Sequence, residues 1–353
     1  MKNAKIFFLL IIANLILSGC TINLNGATSS DFGGIFVSAD KALTWRQKNL
    51  IPTVTGKPNS IGSLNVNQLV MDPSDKNALY YASTDSGLFY TYDAGNTWQG
   101  VTALGKISIN SVAIDPQNKC TIYAASGNKL FRSTDCSRTW FQVYYDNDPA
   151  IAVSYVAVDH YNSERVLIGV SRGDVIQSVD RGGSWHVINR FKDKIGKIVF
   201  SPSDSRVIFV STRTKGTFRT NDGGLNWEDL SKYLKDYKDS GKFRDLVVSK
   251  SENGLIMLAT NYGILRSFDN GNNWENVELI TPEKGATINA VALGSKTSNE
   301  IYYTTNTTFY SSSDGGKNWT PKKLPTGRAG YQILVDPEND KLIYMGVKAV
   351  QNQ

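Results

Sequence analysis

The sequence predicts an all-β fold, a seven-bladed β-propeller of four-stranded blades whose ring is closed by N-terminal and C-terminal strands that share one blade. Three observations predict it: an eight-residue segment ending in tryptophan that recurs seven times, a short apolar segment before each repeat, and complementary partial repeats at the two ends of the chain. With 353 residues, 41% of them hydrophobic, the chain is long enough for a large core.

The eight-residue segment is represented by SVDRGGSW, Ser178 to Trp185. All seven tryptophans of the chain occupy its last position, at intervals of 53, 42, 45, 42, 47 and 45 residues. The seven copies span 38–45, 91–98, 133–140, 178–185, 220–227, 267–274 and 312–319. A regular period of this length indicates a repeat architecture.

A second recurring element is a short apolar segment, such as LVMD at 69–72 or VAID at 112–115. Each is followed by a polar turn and a β-rich run, such as ALYYAS at 78–83. Short strands and turns in even units of about 45 residues are typical of propeller blades, four strands to a blade. The strands are apolar enough to be buried on both faces, as they would be between two neighbouring blades.

The two ends of the chain complete each other. The first copy, GGIFVSADKALTW at 33–45, has a third strand and the eight-residue segment but no strands before them. The C-terminal region ends with ILVD at 333–336 and KLIYMGV at 341–347, with no such segment after them. Together they make one blade, which would leave no open sheet edge at the seam of the ring.

Within each eight-residue segment, the residue types indicate a structural turn. A carboxylate can accept backbone hydrogen bonds from the turn that follows it, a glycine permits positive φ, and a tryptophan buries a large apolar area. Ala42 and Ser137 replace the glycine in two copies, so we expect those turns to be looser or different. The predicted structural residues are Asp40, Asp93, Asp135, Asp180, Asp222, Asp269 and Asp314, with Trp45, Trp98, Trp140, Trp185, Trp227, Trp274 and Trp319.

These residues form the Asp-box (BNR-type) motif, and the chain resembles the family of Asp-box propellers. That family includes sialidases, xyloglucan-cleaving enzymes, sortilin-type receptors and the photosystem II assembly factor. The resemblance implies that the boxes lie at the periphery of the blades, away from the functional face. In size and layout the chain is most similar to the photosystem II assembly or stability factor-like and sortilin-like bacterial propeller lipoproteins.

The N-terminal twenty residues have the pattern of an export signal: Lys2 and Lys5, an apolar run, and then Leu17-Ser18-Gly19-Cys20. The last four residues resemble a lipobox, which predicts lipidation at Cys20, with an ordinary cleaved signal as the alternative. We therefore expect a lipoprotein signal peptide at 1–20, a short linker at 21–33 and the propeller at 34–350. The protein would be exported and lipid-anchored to the cell envelope, at the outer membrane if the cell has two, because Thr21 follows the cysteine.

Two further cysteines, Cys120 and Cys136, flank a predicted hairpin centred on residue 128. An exported protein can keep a disulfide, and cysteines facing each other across an antiparallel pair are close enough to form one. We predict this disulfide, with two buried thiols as the alternative.

The charge and histidine content weigh against several functions. Removing Lys2 and Lys5 from the 38 basic residues leaves 36 against 32 acidic residues, or +4, which is too mild for a nucleic-acid-binding protein. The only histidines, His160 and His186, lie in unrelated contexts, so we expect no metal site and no cofactor.

No catalytic residues are predicted, because neither the arginine cluster nor the leading motif of sialidases is present. The expectation leans towards a protein that is not an enzyme. We also expect a single ring and a monomer. Carboxylates from different blades could still meet across the ring, so a glycan-active hydrolase or a lectin is the alternative.

A partner is expected on the face opposite the boxes, where the fourth strand of each blade connects to the next blade and where second and third strands join. Residues 190–245 carry thirteen basic and eight acidic residues. A basic face of this kind would attract a protein or envelope complex, or else an anionic glycan, although surface lysines that only solvate loops are the alternative. A short amphipathic helix is expected over 230–237. The candidate partner-binding residues are Lys192, Lys194, Lys197, Arg213, Lys215, Lys242 and Arg244.

Overall fold

The computed structural model describes residues 31–281 and 285–350, which form a ring of seven four-stranded antiparallel sheets. The predicted fold class is confirmed. The signal peptide, Cys20 and most of the linker lie outside the described residues. Within those residues, no helix is long and apolar enough to cross a membrane.

The described part of the chain forms thirty strands, most of them four to seven residues long. In chain order they are β1 (Ile35–Ser38), β2 (Arg46–Gln47), β3 (Leu50–Ile51), β4 (Asn59–Ser60), β5 (Val66–Asp72), β6 (Asp75–Ser83), β7 (Leu88–Thr91), β8 (Gln99–Gly100), β9 (Ser111–Asp115), β10 (Asn118–Ser126), β11 (Lys129–Ser133), β12 (Phe141–Tyr145), β13 (Val153–Val158), β14 (Val166–Val170), β15 (Asp174–Ser178), β16 (His186–Arg190), β17 (Ile195–Ser201), β18 (Asp204–Thr212), β19 (Thr217–Thr220), β20 (Glu228–Asp229), β21 (Phe243–Val248), β22 (Ile256–Thr260), β23 (Ile264–Ser267), β24 (Glu275–Val277), β25 (Ala290–Leu293), β26 (Ile301–Thr304), β27 (Thr308–Ser312), β28 (Thr320–Lys323), β29 (Ala329–Val335) and β30 (Ile343–Lys348).

Six blades are formed by four consecutive strands each, and we number them 2 to 7 in chain order, from β5–β8 to β25–β28. The remaining sheet, the closing blade, has the order β2-β1-β30-β29. The first strand of every blade lies innermost, and neighbouring innermost strands contact one another all the way round the ring. A separate two-stranded ribbon, β3 with β4, follows the closing blade.

The closing blade joins the two ends of the chain as predicted. β1 pairs with β30 in an antiparallel register that sets Ile35 opposite Gly346 and Ser38 opposite Ile343. β30 pairs in turn with β29. The seam is therefore a hydrogen-bonded sheet rather than a contact between two free edges.

The hydrophobic core is divided into layers between neighbouring blades. Between blades 2 and 3, Tyr80 and Leu88 pack in the same cluster as Val112 and Ile122, and all four are at most 2% exposed. Every blade is buried on both faces in this way, which explains why the strand sequences are nearly continuous apolar runs. Burying such side chains is the main source of stability of the ring, at about 1.5–3 kcal/mol for each large one.

Cys120 and Cys136 form a disulfide, as predicted, although the geometry differs from the expectation. The register of β10 and β11 sets Ser126 opposite Lys129, so the hairpin turns on Gly127 and Asn128 and its centre lies between them. Cys136 lies beyond the end of β11, where its backbone nitrogen donates to the carbonyl of Cys120 at 3.1 Å. The bond therefore ties the start of a second strand to an Asp-box.

The predicted amphipathic helix is shorter than expected. Leu230–Tyr233 form a single 3₁₀ turn, capped by the Asp229 side chain, which accepts from the Ser231 nitrogen at 2.8 Å. Leu230 and Leu234 are buried in the core of the neighbouring blades, so the apolar spacing reflects packing.

The ring has two distinct faces. The box face carries the Asp-boxes and the turns between first and second strands, and ion pairs join neighbouring blades along it, including Lys41 with Glu300, Lys76 with Glu338, and Lys119 with Asp75 at 3.3 Å. The mouth face carries the connections between blades and the turns between second and third strands. The innermost strands begin at the mouth face.

Candidate partner-binding site

The seven Asp-boxes have the same internal pattern of hydrogen bonds. In the box of blade 4, the Ser178 hydroxyl donates to Asp180 Oδ1 at 2.7 Å and accepts from the Gly182 nitrogen at 2.7 Å. The Ser184 nitrogen donates to Asp180 Oδ1 at 2.8 Å, and its hydroxyl donates to Asp180 Oδ2 at 2.7 Å. The first three of these bonds recur in every copy. The fourth is donated by a hydroxyl in four boxes and by an asparagine amide in the boxes of blades 5, 6 and 7. The boxes therefore have a structural explanation within the turn itself.

The boxes that lack the usual glycine are not looser, which corrects our expectation. Ala42 has φ 67° and Ser137 has φ 71°, within the same left-handed region as Gly95 at 81°. Their backbone nitrogens still donate to the first hydroxyl of the box, at 2.8 Å from Ala42 and 3.0 Å from Ser137. The network holds these two residues in a conformation that glycine adopts more easily.

The box hydrogen bonds stabilise the ionised carboxylates. Bonds from Ser178 and Ser184 lower the pKa of Asp180 to about 2, and bonds from Thr44 do the same for Asp40. The pKa of Asp135 and of Asp314 is also about 2, for the same reason. These carboxylates are therefore occupied as acceptors rather than available as proton donors at neutral pH.

The tryptophans anchor the boxes in two ways. The indole nitrogens of Trp98, Trp185 and Trp319 donate to carbonyls of the preceding blade, at 3.0, 2.8 and 2.7 Å. In three other blades the indole donates within its own box, as from Trp227 to Gly224 O at 3.1 Å. The tryptophans thus connect the boxes to the sheets, and in three cases connect one blade to the next.

A cavity of about 500 Å³ opens at the centre of the mouth face. It is lined by residues from all seven blades, because the first residues of every innermost strand converge there. Ser154, Phe243 and Tyr331 line it from three different blades. This is the face on which the sequence predicted partner binding.

A circle of side-chain bonds joins the blades around this cavity. Gln68 Oε1 accepts from the Val112 nitrogen at 2.6 Å, between blades 2 and 3, and the Ser154 hydroxyl donates to Ile195 O at 2.7 Å, between blades 4 and 5. The remaining junctions are joined by Asn110 with Val153, Lys197 with Asp245, Asp245 with Val291, Thr304 with Gly330, and Lys348 with Asn67. Much of the polar lining therefore has a structural role.

Four of the seven predicted basic residues line the cavity: Lys194, Lys197, Arg213 and Arg244. One of them, Lys197, belongs to the circle just described, since its Nζ lies 2.7 Å from Asp245 Oδ1. Burial opposes protonation of Lys197, but the Asp245 carboxylate outweighs it and raises its pKa. Because its charge is already neutralised by the Asp245 carboxylate, we assign Lys197 to the junction between blades 5 and 6 rather than to partner contact.

The other cations of the cavity have no carboxylate partner within residues 31–281 and 285–350. Arg244 donates to the neutral amide of Asn261 at 2.7 Å, and Lys194 and Arg213 are exposed without an ion pair. Although the Lys194 side chain as a whole is exposed, partial desolvation of its ammonium group in the cavity, together with the charge of Arg213, lowers its pKa. These cations therefore repel one another, and an anion in the cavity would relieve that repulsion.

A fifth cation, Lys348, was missed by the sequence analysis. Its Nζ lies 4.6 Å from the centre of the Tyr331 ring and 3.2 Å from Asn67 Oδ1. Burial lowers its pKa, and the nearby Lys194 adds to that effect. Lys348 lies more than a hundred residues beyond the basic segment 190–245, and only closure of the ring brings it to the cavity.

The remaining three predicted residues lie on the mouth face but do not line the cavity. Lys192 and Lys215 are exposed, and Lys242 is paired with Asp239 at 3.1 Å. The basic segment therefore divides into residues that border the cavity and residues that surround it.

Carboxylates are scarce in the cavity. Asp245 is the one acidic residue among its described lining residues, and it is already paired with Lys197. Hydrolysis of a glycoside by the common mechanisms requires two carboxyl groups flanking the bond, and this lining does not supply such a pair. In the described part of the chain, no group of three or more His, Cys, Asp or Glu residues is arranged to hold a metal ion.

The chain has the fold and the seven boxes of the Asp-box (BNR-type) seven-bladed propellers. Within that class, the family described as photosynthesis system II assembly factor YCF48 matches residues 190–329, a range that includes most of the cavity cations. A search of the curated proteins finds no match.

Solved structures show the same architecture. A structure described as YCF48 bound to D1 peptide is 16% identical, with a TM-score of 0.63, over 92% of this chain and 99% of that one. YCF48 from Cyanidioschyzon merolae is 14% identical, with a TM-score of 0.63, over 84% of this chain and 97% of that one. A xyloglucanase of family GH74 from Xanthomonas campestris is 17% identical, with a TM-score of 0.63, over 81% of this chain but only 51% of the enzyme, so the chain spans about half its length. At these identities the likeness shows the fold.

Proposed function

We propose that this protein is an exported binding or assembly propeller that recognises an acidic segment of a protein partner at the central cavity of the mouth face. The observation that carries the proposal is the group of cavity cations that have no carboxylate partner in the described part of the chain: Lys194, Arg213, Arg244 and Lys348. They come from three blades, so a ligand that neutralises them would have to lie across the ring. The match to the YCF48 family and the description of one relative as peptide-bound support a protein partner.

The physical basis is electrostatic. Four like charges around one cavity create a positive potential that raises the encounter rate of an acidic ligand. The ring is rigid and already hydrogen-bonded around the cavity, so binding would cost little ordering of the protein. Phe243 and Tyr331 in the lining add apolar surface for a side chain of the ligand.

The test is capture of a partner from native membranes by crosslinking, with two double variants of equal charge change. Lys194→Glu with Arg213→Glu reverses two cations that line the cavity, whereas Lys192→Glu with Lys215→Glu reverses two that lie on the same face outside it. We expect the first variant to lose at least ten-fold in recovery of a defined complex and the second to retain most of it. Equal recovery with both variants would exclude the cavity as the binding site.

A further inference from the structure

The first described residues of the chain are fixed to the mouth face. The buried Arg328 guanidinium donates to Asp31 Oδ1 at 2.8 Å and to the carbonyls of Ser63 and Leu64 at 3.0 and 3.2 Å. The Thr326 hydroxyl donates to the carbonyl of Phe32 at 2.6 Å. The direction in which the chain enters the ring is therefore set by a buried arginine.

This point of entry lies beside the central cavity. Arg328 also donates to Asn65 Oδ1 at 3.0 Å, and the same oxygen accepts from the Ala349 nitrogen at 2.7 Å. Asn67, two residues after Asn65, and Lys348, which precedes Ala349, are bonded to each other in the cavity wall. The segment that enters the ring and the cavity therefore share one side of the molecule.

The length of chain between Cys20 and the ring limits where a lipid on Cys20 could lie. Ten residues, 21–30, separate Cys20 from Asp31, and eleven residue steps extend to about 40 Å at most. An innermost strand of seven residues, such as β5, is itself roughly 23 Å long. To reach the level of the box face, the linker would have to run outward over the blades and then along their height, near full extension.

The charges of the two faces favour the same orientation. The mouth face carries the cavity cations and also Lys192, Lys215 and Lys242. The box face carries the seven box carboxylates, and its lysines include Lys41, Lys76 and Lys119, which are paired with carboxylates. The surface of an anionic bilayer attracts basic groups and repels acidic ones over about one Debye length.

We propose that the mouth face is the membrane-facing side of the ring, held there by the lipid on Cys20 and by attraction of its cations to anionic headgroups. This inference rests on the proposed function and on lipidation of Cys20. It implies that the cavity receives a segment of a partner that lies at the surface of the same membrane.

The test uses the full lipidated chain in phosphatidylglycerol-containing vesicles with an energy-transfer acceptor on the headgroups. A donor dye is placed at Lys215→Cys on the mouth face or at Lys317→Cys on the box face, two exposed positions with the same change of charge. We expect clearly stronger transfer from position 215. Asp31→Ala, which releases the entering segment from Arg328, should reduce the difference between the two positions.

Equal transfer from both positions, stronger transfer from position 317, or failure of the full chain to bind the vesicles would each overturn this inference. A capture experiment with the Cys20→Ala protein, which cannot be lipidated at that position, tests partner binding independently of membrane orientation. Capture without the expected orientation leaves the binding function intact, and the expected orientation without capture removes the binding function alone.

Discussion

At the scale of single residues, the first hydroxyl of each Asp-box is as important as the aspartate. Every box begins with serine or threonine, and that hydroxyl both donates to the carboxylate and accepts from the residue at positive φ. The repeated S/T-x-D pattern was visible in the sequence. The hydrogen bond that the hydroxyl accepts was not, because it depends on the backbone path of the turn.

Ser137 offers a direct test of backbone strain in the box. Its φ of 71° is unfavourable for a residue with a side chain, and its hydroxyl is buried without a partner in the described structure. We expect Ser137→Gly to raise the free energy of unfolding by about 0.5–1 kcal/mol. The measurement is urea denaturation of both proteins.

The matched control is Gly95→Ala, the opposite change at the same position of another box. A Cβ at Gly95 would have no neighbour closer than 3.6 Å, so its cost is conformational. We expect a loss of about 1 kcal/mol. A destabilised Ser137→Gly protein would show that the serine side chain contributes more than the strain costs.

The candidate site was only partly predictable at this scale. Lys194, Arg213 and Arg244 could be found because they cluster in sequence at positions that the repeat assigns to one face. Lys348 could not, because its proximity depends on ring closure. The pairing of Lys197 with Asp245 also could not be foreseen, since it depends on the side chains meeting across two blades.

At the scale of elements, the disulfide joins a strand to a box within blade 3. Its partners are 16 residues apart, a loop for which the chain-entropy model gives about 3 kcal/mol of stabilisation. We expect Cys120→Ala with Cys136→Ala to lower the free energy of unfolding by about that amount, measured by denaturant titration.

Reduction provides the control for this prediction. A reducing agent should destabilise the native protein and leave the double variant unchanged. If both proteins respond equally to the agent, the effect does not come from this bond.

The order of the strands was predictable because the same order of sequence segments recurs in seven repeats. The exceptions lie where the repeat is interrupted. The ribbon of β3 and β4 lies in the connection 46–67, which carries no repeated pattern. The apolar spacing of Leu230 and Leu234 indicated a helix, but the two leucines are buried in the core beside a single 3₁₀ turn, so the spacing reflects packing.

At the scale of the whole molecule, the box carboxylates make the folded protein less stable as the pH falls into the acid range. The pKa of Asp40, Asp135, Asp180 and Asp314 is about 2 in the folded protein, below the ordinary value of 3.8. Their contribution is therefore present above about pH 4 and is lost as the pH falls towards 2, because the unfolded chain binds protons first. We expect the melting temperature to fall steeply across this window.

Thermal melts at closely spaced pH values test this, with Asp180→Asn as the comparison. The variant lacks one titrating box, so its melting temperature should start lower at neutral pH and decline less steeply in acid. A melting temperature that stays constant from pH 4 to pH 2 would contradict the prediction.

The closing blade also determines when the molecule can be completed. β30 lies between β29 and β1. β1 can therefore complete its pairing only after β30, which is translated about three hundred residues later, has been made. Until then β1 exposes an edge that can pair with other chains.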